Sequence, residues 1–269
     1  MTRAVILARG LGRRMREADP AVALDAAQEA TASRGVKGML SVGRPFLDYL
    51  LSALADAGFR HACLVVGPEH DGVRHHYGAP GRLTRLTVSF AIQQEPLGTA
   101  DAVLAAEAFT AGERFLVCNA DNYYPVKVLA ALRALDRPAL AGFERGALVR
   151  ESNIPAERVA QFALLATTPD GHLAEIVEKP DAAAFARLGP SARVSMNAWV
   201  FDAAIFEACR RIGPSARGEL EIQDAVRYAM QRLGVQFQVL PVSAGVLDLS
   251  RRGDIEAVTE RLRDVEVRL

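Results

Sequence analysis

The chain has 269 residues, half of them hydrophobic and 24% charged, enough to bury a large core in one α/β domain or two joined lobes. Its 32 basic and 32 acidic side chains cancel, which excludes a nucleic-acid or membrane-surface binder of the kind driven by bulk charge. Cys63, Cys118 and Cys209 are too few and too scattered for a disulfide framework or a cysteine zinc site, and they suit a reduced compartment. The opening apolar stretch is too short for a signal peptide, and no run of about 18 apolar residues follows, so a soluble, cytoplasmic protein is expected.

Strand-length apolar runs alternate with segments of helical period, the pattern of βα units around a mainly parallel sheet. Ala4 to Ala8 reads as the first strand. Phe46 to Ala57 has helical spacing and stops at Gly58, a helix C-terminus signal. Ala62 to Val66 is the next strand, closed by Gly67-Pro68, and Leu86 to Ile92 alternates as another. A helix from about Ala100 to Glu107 precedes the buried strand Phe115 to Cys118, whose carboxyl end delivers Asn119-Ala120-Asp121-Asn122. In open α/β sheets that end is where ligands bind.

In the second half, Phe162–Thr167 and Ala174–Val177 are expected to form a hairpin through the turn Pro169-Asp170-Gly171. Met196 to Phe201 and Phe237 to Val242 read as strands, with helices at Ala203–Arg211, Ile222–Leu233 and Asp254 to about Arg263. No linker or internal repeat interrupts the chain. One unit over 1–269 is expected, with a nucleotide half to about residue 135 and an acceptor half at 136–269.

Directly after the first strand comes Gly10-Leu11-Gly12-Arg13-Arg14-Met15. Glycines let a backbone approach a polyphosphate, and N–H groups at a helix start donate to it. Met15 replaces the last glycine of the dinucleotide fingerprint, and no P-loop lysine follows, so neither motif fits. Two arginines in the turn suggest that side-chain cations also hold phosphates. Alone, the segment is equally an ordinary turn with solvated arginines.

Context decides the matter. The run Ala4–Met15 with Lys37-Gly38-Met39-Leu40-Ser41-Val42-Gly43-Arg44-Pro45 resembles the opening signature of the sugar-1-phosphate nucleotidylyltransferases. The resemblance continues through Gln93–Ala100, Asn119–Asn122, Val177-Glu178-Lys179-Pro180, Met196–Phe201 and Val246-Leu247-Asp248, in order and across nearly the whole chain. It implies a Rossmann-like, mixed but mainly parallel sheet flanked by helices (GT-A-like), with a small β-rich acceptor subregion. It also implies Mg²⁺-assisted in-line attack of a sugar 1-phosphate on the α-phosphorus of a nucleoside triphosphate. Such chemistry rests on positioning and electrostatic stabilisation.

The resemblance further implies roles for particular residues. Arg14 and Lys37 fall to the triphosphate and, with Asp121, to catalysis. Leu7, Ala8, Gly10, Gly12, Arg13, Gln93, Gly98 and Thr99 fall to the nucleotide, with Gln93 against the base edge and Gly98 under the ring. Gln94 competes with Gln93 for that role, and an amide reads a base without saying which one. Asn122, Glu178, Lys179 and Asn197 fall to the sugar phosphate, and Asp121 and Asp248 to the metal. Mg²⁺ prefers hard oxygen ligands. Asp248 is alternatively a helix cap. The Gln93–Ala100 wording leans toward UTP or dTTP.

Several residues depart from the family wording: Arg9 for a small residue, Arg13 for Thr, Gly38 for Pro after the lysine, and Ala120 for Gly before the aspartate. Arg14 and Lys37 are separated by 22 intervening residues, roughly twice the usual gap, and the Ala-rich insert Glu17–Arg34 is expected to form a helical lid or a subunit contact. Relatives commonly form homo-oligomers, but no feature fixes a stoichiometry. No hexapeptide repeats occur, so the C-terminal β-helix of some members is not expected. His70, His75 and His76 near Asp71 read as an exposed loop rather than a metal site. The rival readings are a cytidylyl- or guanylyltransferase with a non-sugar acceptor, a catalytically silent nucleotide-sugar sensor, and an NAD-dependent dehydrogenase. Met15 and the lack of an acidic residue closing a second strand disfavour the last.

Overall fold

The structure, a computed structural model, describes all residues from Met1 to Leu269. Its strands are β1 (Arg3–Leu7), β2 (His61–Val66), β3 (Thr87–Ile92), β4 (Phe115–Asn119), β5 (Asn122–Tyr123), β6 (Ala139–Phe143), β7 (Leu164–Thr167), β8 (Leu173–Val177), β9 (Arg193–Phe201), β10 (Gln238–Val242) and β11 (Leu247–Asp248). The main sheet runs β10-β6-β9-β4-β1-β2-β3, with β7 and β8 attached beside β9, and β11 pairs with β5 apart from it. β1 is parallel to both β2 and β4, and β2 to β3. β9 is antiparallel to β4 on one side and β6 on the other.

Burial on both faces explains the unbroken apolar runs. Along β1, Ala4 and Ile6 join one core with Leu64, Leu116 and the helix Phe46–Asp56. Val5 joins the other with Val65, Val117, Trp199 and the helices Ala204–Arg211 and Ile222–Arg232. Phe46–Asp56 ends as the sequence predicts, with Gly58 N–H donating to Ala55 at 3.0 Å. The predicted hairpin forms, Leu164 pairing with Val177, and Gly171 N–H closes its turn on the Thr168 carbonyl. All three cysteines are buried, and burial pushes each thiol up to about 12.

Two local expectations need correction. The segment around the histidines is a helix, Asp71–Gly78, not an exposed loop. His70 is buried, and its Nδ1 accepts from Gly67 N–H at 3.2 Å. No group of three His, Cys, Asp or Glu residues is placed to hold a metal. The insert is helical only over Ala26–Arg34, where Asp25 and Gln28 form a capping box and Gly35 ends the helix. No helix is long and apolar enough to cross a membrane.

Candidate functional site

The register of β1 and β4 sets Leu7 beside Asn119, so the segments that follow both strands open at one edge of the sheet. They border a cavity of about 660 Å³, lined also by residues of β9 and by the chain just before the helix Ile222–Arg232. Leu7, Ala8, Gly10, Gly12, Arg13 and Arg14 form one wall. Gly12 has φ 58 and leads into the single helical turn Arg13–Arg16. It also crosses the end of the insert, where a Cβ on Gly12 would lie 2.4 Å from the Gly35 carbonyl oxygen. Only glycine meets both demands. The insert is tied down on its far side by Arg252, which holds Glu29 with both guanidinium arms and donates from Nε to the Met15 carbonyl at 3.1 Å.

Across the cavity, Lys37 Nζ meets Asp121 Oδ2 at 2.7 Å. Burial pulls the Lys37 ammonium down, but the charge and hydrogen bond of Asp121, with Asp248 behind it, outweigh that and leave it raised. Two departures in sequence meet here. A Cβ on Gly38 would stand 3.7 Å from the Ala120 methyl, so the residue without a side chain faces the one that has gained a methyl group.

Asp248 is not a helix cap; Asp254, closing the short turn Arg252–Asp254, accepts from the N–H groups of Ser250 and Arg251 that precede it. Asp248 sits on β11, 4% exposed, and pairing with β5 brings it to Asn122, whose Nδ2 donates to it at 2.9 Å. Its other oxygen accepts from Ser250 Oγ at 2.7 Å and from Arg158. Burial first, then the charge of Asp121, hold the Asp248 carboxyl above its ordinary value against the pull of Arg158. Arg158 also binds Asp254 Oδ1 at 2.6 Å, so one buried guanidinium bridges both carboxylates.

At the other end, Gln93 is 3% exposed and lines the cavity, whereas Gln94 is exposed and does not. Gly98 has φ 129, and a Cβ there would lie 2.4 Å from the Leu220 carbonyl oxygen. Leu97 and Ala100 are hydrogen-bonded to Leu220, and Thr99 Oγ1 accepts from Ile222 N–H at 2.9 Å. The Thr99 hydroxyl therefore caps the helix Ile222–Arg232 while facing the cavity. Arg9 reaches in beside it, paired with both Glu69 oxygens at 3.2 and 3.3 Å and donating to the Gln93 carbonyl.

The acceptor-side candidates divide. Asn197 lies where β9 bulges between its pairings with Leu140 and Gly142 of β6, at φ 55, and it lines the cavity. Bulges re-aim side chains in this way. The Tyr124 hydroxyl supports the bulge by donating to the Met196 carbonyl at 2.6 Å, and Gln223 donates to Asn197 Oδ1 at 3.3 Å. Glu178 and Lys179 follow β8 and stand outside the cavity wall, Glu178 facing Arg217 at 4.0 Å. Burial, with Glu221 acting in the same sense, raises the Glu178 carboxyl against the pull of Arg217. Lys179 is exposed, at φ 44.

A model of the nucleotidyl transferase family matches residues 3–249. The chain belongs to the nucleotidyl transferase family. A UTP–glucose-1-phosphate uridylyltransferase, AglF of Haloferax volcanii, is 28% identical over 263 residues, covering 97% of this chain and 96% of its own. A glucose-1-phosphate thymidylyltransferase of Streptomyces antibioticus is 28% identical, covering 99% and 68%. Among solved structures, a UDP-glucose pyrophosphorylase from Acinetobacter baumannii superposes with a TM-score of 0.73 at 16% identity, over 99% of this chain and 95% of that one. The last likeness concerns the fold.

Residues that no motif announced also support these positions. Arg9 was noticed only as a departure, although its Glu69 partner follows the next strand. Arg158 carries no local signal, since its partners are 90 and 96 residues away. The Leu220 segment is likewise recognisable only once Gly98 is seen to pack on it.

Proposed function

We propose that this nucleotidyltransferase joins UTP or dTTP to glucose 1-phosphate, releasing pyrophosphate. Sugar-1-phosphate nucleotidylyl transfer is the activity both relatives carry in their names. The observation that carries the reading is the convergence of the glycine–arginine turn, the Lys37–Asp121 pair and Asp248 on one cavity, with Gln93 and Gly98 at its other end.

In this reading the residues up to about 135 hold the nucleotide and those beyond it the sugar phosphate, Asn122 and Asp248 excepted. The N–H groups around Gly10–Gly12, with Arg13 and Arg14, take the β- and γ-phosphates. Lys37 turns from Asp121 to the α-phosphate, where negative charge builds as the sugar phosphate attacks in line. Gly98 floors the base and Gln93 meets its edge. Asn197 and Asn122 orient the sugar, and Glu178 and Lys179 close on it from β8.

Asp121 and Asp248 fit a divalent cation. They are two hard oxygen donors close enough for one charge to raise the other's carboxyl, and a magnesium ion needs only one or two carboxylates beside phosphate and water. When bound, Mg²⁺ supplies charge neutralisation at the phosphates. The insert meets the cavity at its two ends, at Glu17 and at Gly35 directly after it.

The test is pyrophosphate release from a matrix of nucleoside triphosphates and sugar 1-phosphates with Mg²⁺, with Asp121→Ala alongside. Turnover that requires both substrates and collapses in the variant is expected. Release that needs no sugar phosphate, or survives the substitution, refutes the reading.

A further inference from the structure

We infer that Asp101 is a positioning residue that sets base selectivity by locking the Gln93 amide with its carbonyl oxygen toward the base. The inference rests on the reading that a nucleotide base occupies this end of the cavity. Almost every polar group of Gln93 is committed. Its backbone N–H donates to the Val66 carbonyl at 2.9 Å, and its carbonyl accepts from Arg9. The side-chain Nε2 donates to the Gly98 carbonyl at 3.0 Å and to Asp101 Oδ2 at 2.8 Å. An amide has two N–H donors, and both partners are pure acceptors, so the nitrogen must face them. Only Oε1 is left to meet a ligand.

That leaves the pocket presenting an acceptor to the ring. Uracil and thymine carry an N–H at the central nitrogen of the pairing edge and can donate to it; guanine does as well, and pocket size must exclude it separately. Cytosine and adenine carry a bare nitrogen there, so acceptor would face acceptor. The Gly98 carbonyl alone does not fix the orientation, because it occupies one N–H. Asp101 supplies the second acceptor, from the first turn of the helix Thr99–Ala105. Without it the amide can rotate and offer N–H to the ring. A site built to hydrogen-bond one partner rejects the mismatched analogue strongly, because a buried polar group is left unpaired.

The experiment measures kcat/KM with saturating glucose 1-phosphate and Mg²⁺ for UTP, dTTP and CTP. Binding of UTP and CTP without sugar phosphate is measured by calorimetry in parallel. Wild type should favour UTP over CTP by about a thousandfold or more. Asp101→Leu should lower that ratio at least tenfold, and Asp101→Asn, which keeps one acceptor oxygen, should lower it less. General damage to the site would reduce both nucleotides together and leave the ratio intact.

A ratio in folded Asp101→Leu within twofold of wild type overturns the proposal, as does a wild-type preference for CTP. If Asp101→Leu does not fold, the ratio in Asp101→Ala, which removes both acceptor oxygens, decides: a fall beyond twofold supports the lock and an unchanged ratio overturns it. Nucleotide binding with Asp101-dependent selectivity but no transfer would sink the transferase reading and leave the lock standing. Transfer with unaltered selectivity would do the reverse. A folded wild type that binds no nucleotide removes both.

Discussion

Replacing Arg158 by Met should unfold the C-terminal wall of the site more readily at neutral pH than in acid. Arg158, Asp248 and Asp254 have side chains only about one-twentieth exposed, so the substitution strands two carboxylates in the interior. Asp254 keeps the Ser250 and Arg251 N–H groups, but Asp248 loses its only direct cation and retains two neutral donors. Removing one partner of such a pair costs about 3–5 kcal/mol. Because Asp254 remains well solvated by protein donors, the lower end, about 3 kcal/mol, is expected. For a domain of this size that lowers the melting temperature by roughly 6–12 °C.

The pH dependence follows from the sign of the Asp248 shift. Its folded carboxyl lies above its ordinary value, so its contribution to stability is full below the unfolded value and is lost as pH rises through the folded one. Removing Arg158 raises the folded value further and widens that loss. The deficit between variant and wild type should therefore narrow from pH 7.5 to pH 5. Urea denaturation at both pH values measures it. A loss under about 1 kcal/mol at pH 7.5, or a deficit that stays constant with pH, refutes the account.

Lys37→Met should lower kcat/KM for transfer by about a hundredfold, read as pyrophosphate release, while the melting temperature changes little because the ion pair is partly exposed. Gly98→Ala forces a methyl group to within 2.4 Å of the Leu220 oxygen at a backbone angle foreign to alanine. It should cost about 1–3 kcal/mol by chemical denaturation and raise KM for the nucleotide more than KM for the sugar phosphate. Since burial raises the Glu178 carboxyl, KM for the sugar phosphate should climb as pH falls through a point above the usual carboxylate range. A pH–rate profile of Glu178→Gln should lack that limb.

The sequence made most of the sheet and the motif-bearing loops readable because their signals are local. β1, β2 and β4 are unbroken apolar runs, and the residues after β1 and β4 carry the chemistry. β6 was missed because Ala-Leu-Ala-Gly-Phe has no strand propensity of its own; its place between β9 and β10 makes it a strand. The helix Val126–Ala134 was missed too, although Val128, Leu129 and Leu132 pack on the main core at helical spacing. The histidine segment misled because its Pro, Glu and Gly neighbours suggested a loop, whereas Val73 and Tyr77, four apart, bury one face of a helix. At the site, single positions were legible but couplings were not: Arg158 to Asp248, Asp101 to Gln93, and Leu220 to Gly98 all join residues whose relation exists only in space.

The place of β9 has a consequence for how this chain can be taken apart. It comes late in sequence, yet it fills the gap between β4 and β6 and hydrogen-bonds to both. Cut near residue 135, the first fragment would end its sheet at β4 with a bare, apolar edge, and the second would carry β9 paired with β6 and β7 but with its β4-facing side uncovered along Trp199–Phe201. Each piece would expose an unpaired apolar strand edge, and such edges favour aggregation. Expressed together, they should find each other through that strand. The two halves thus share one sheet, and the seam between them is a strand interface rather than a linker.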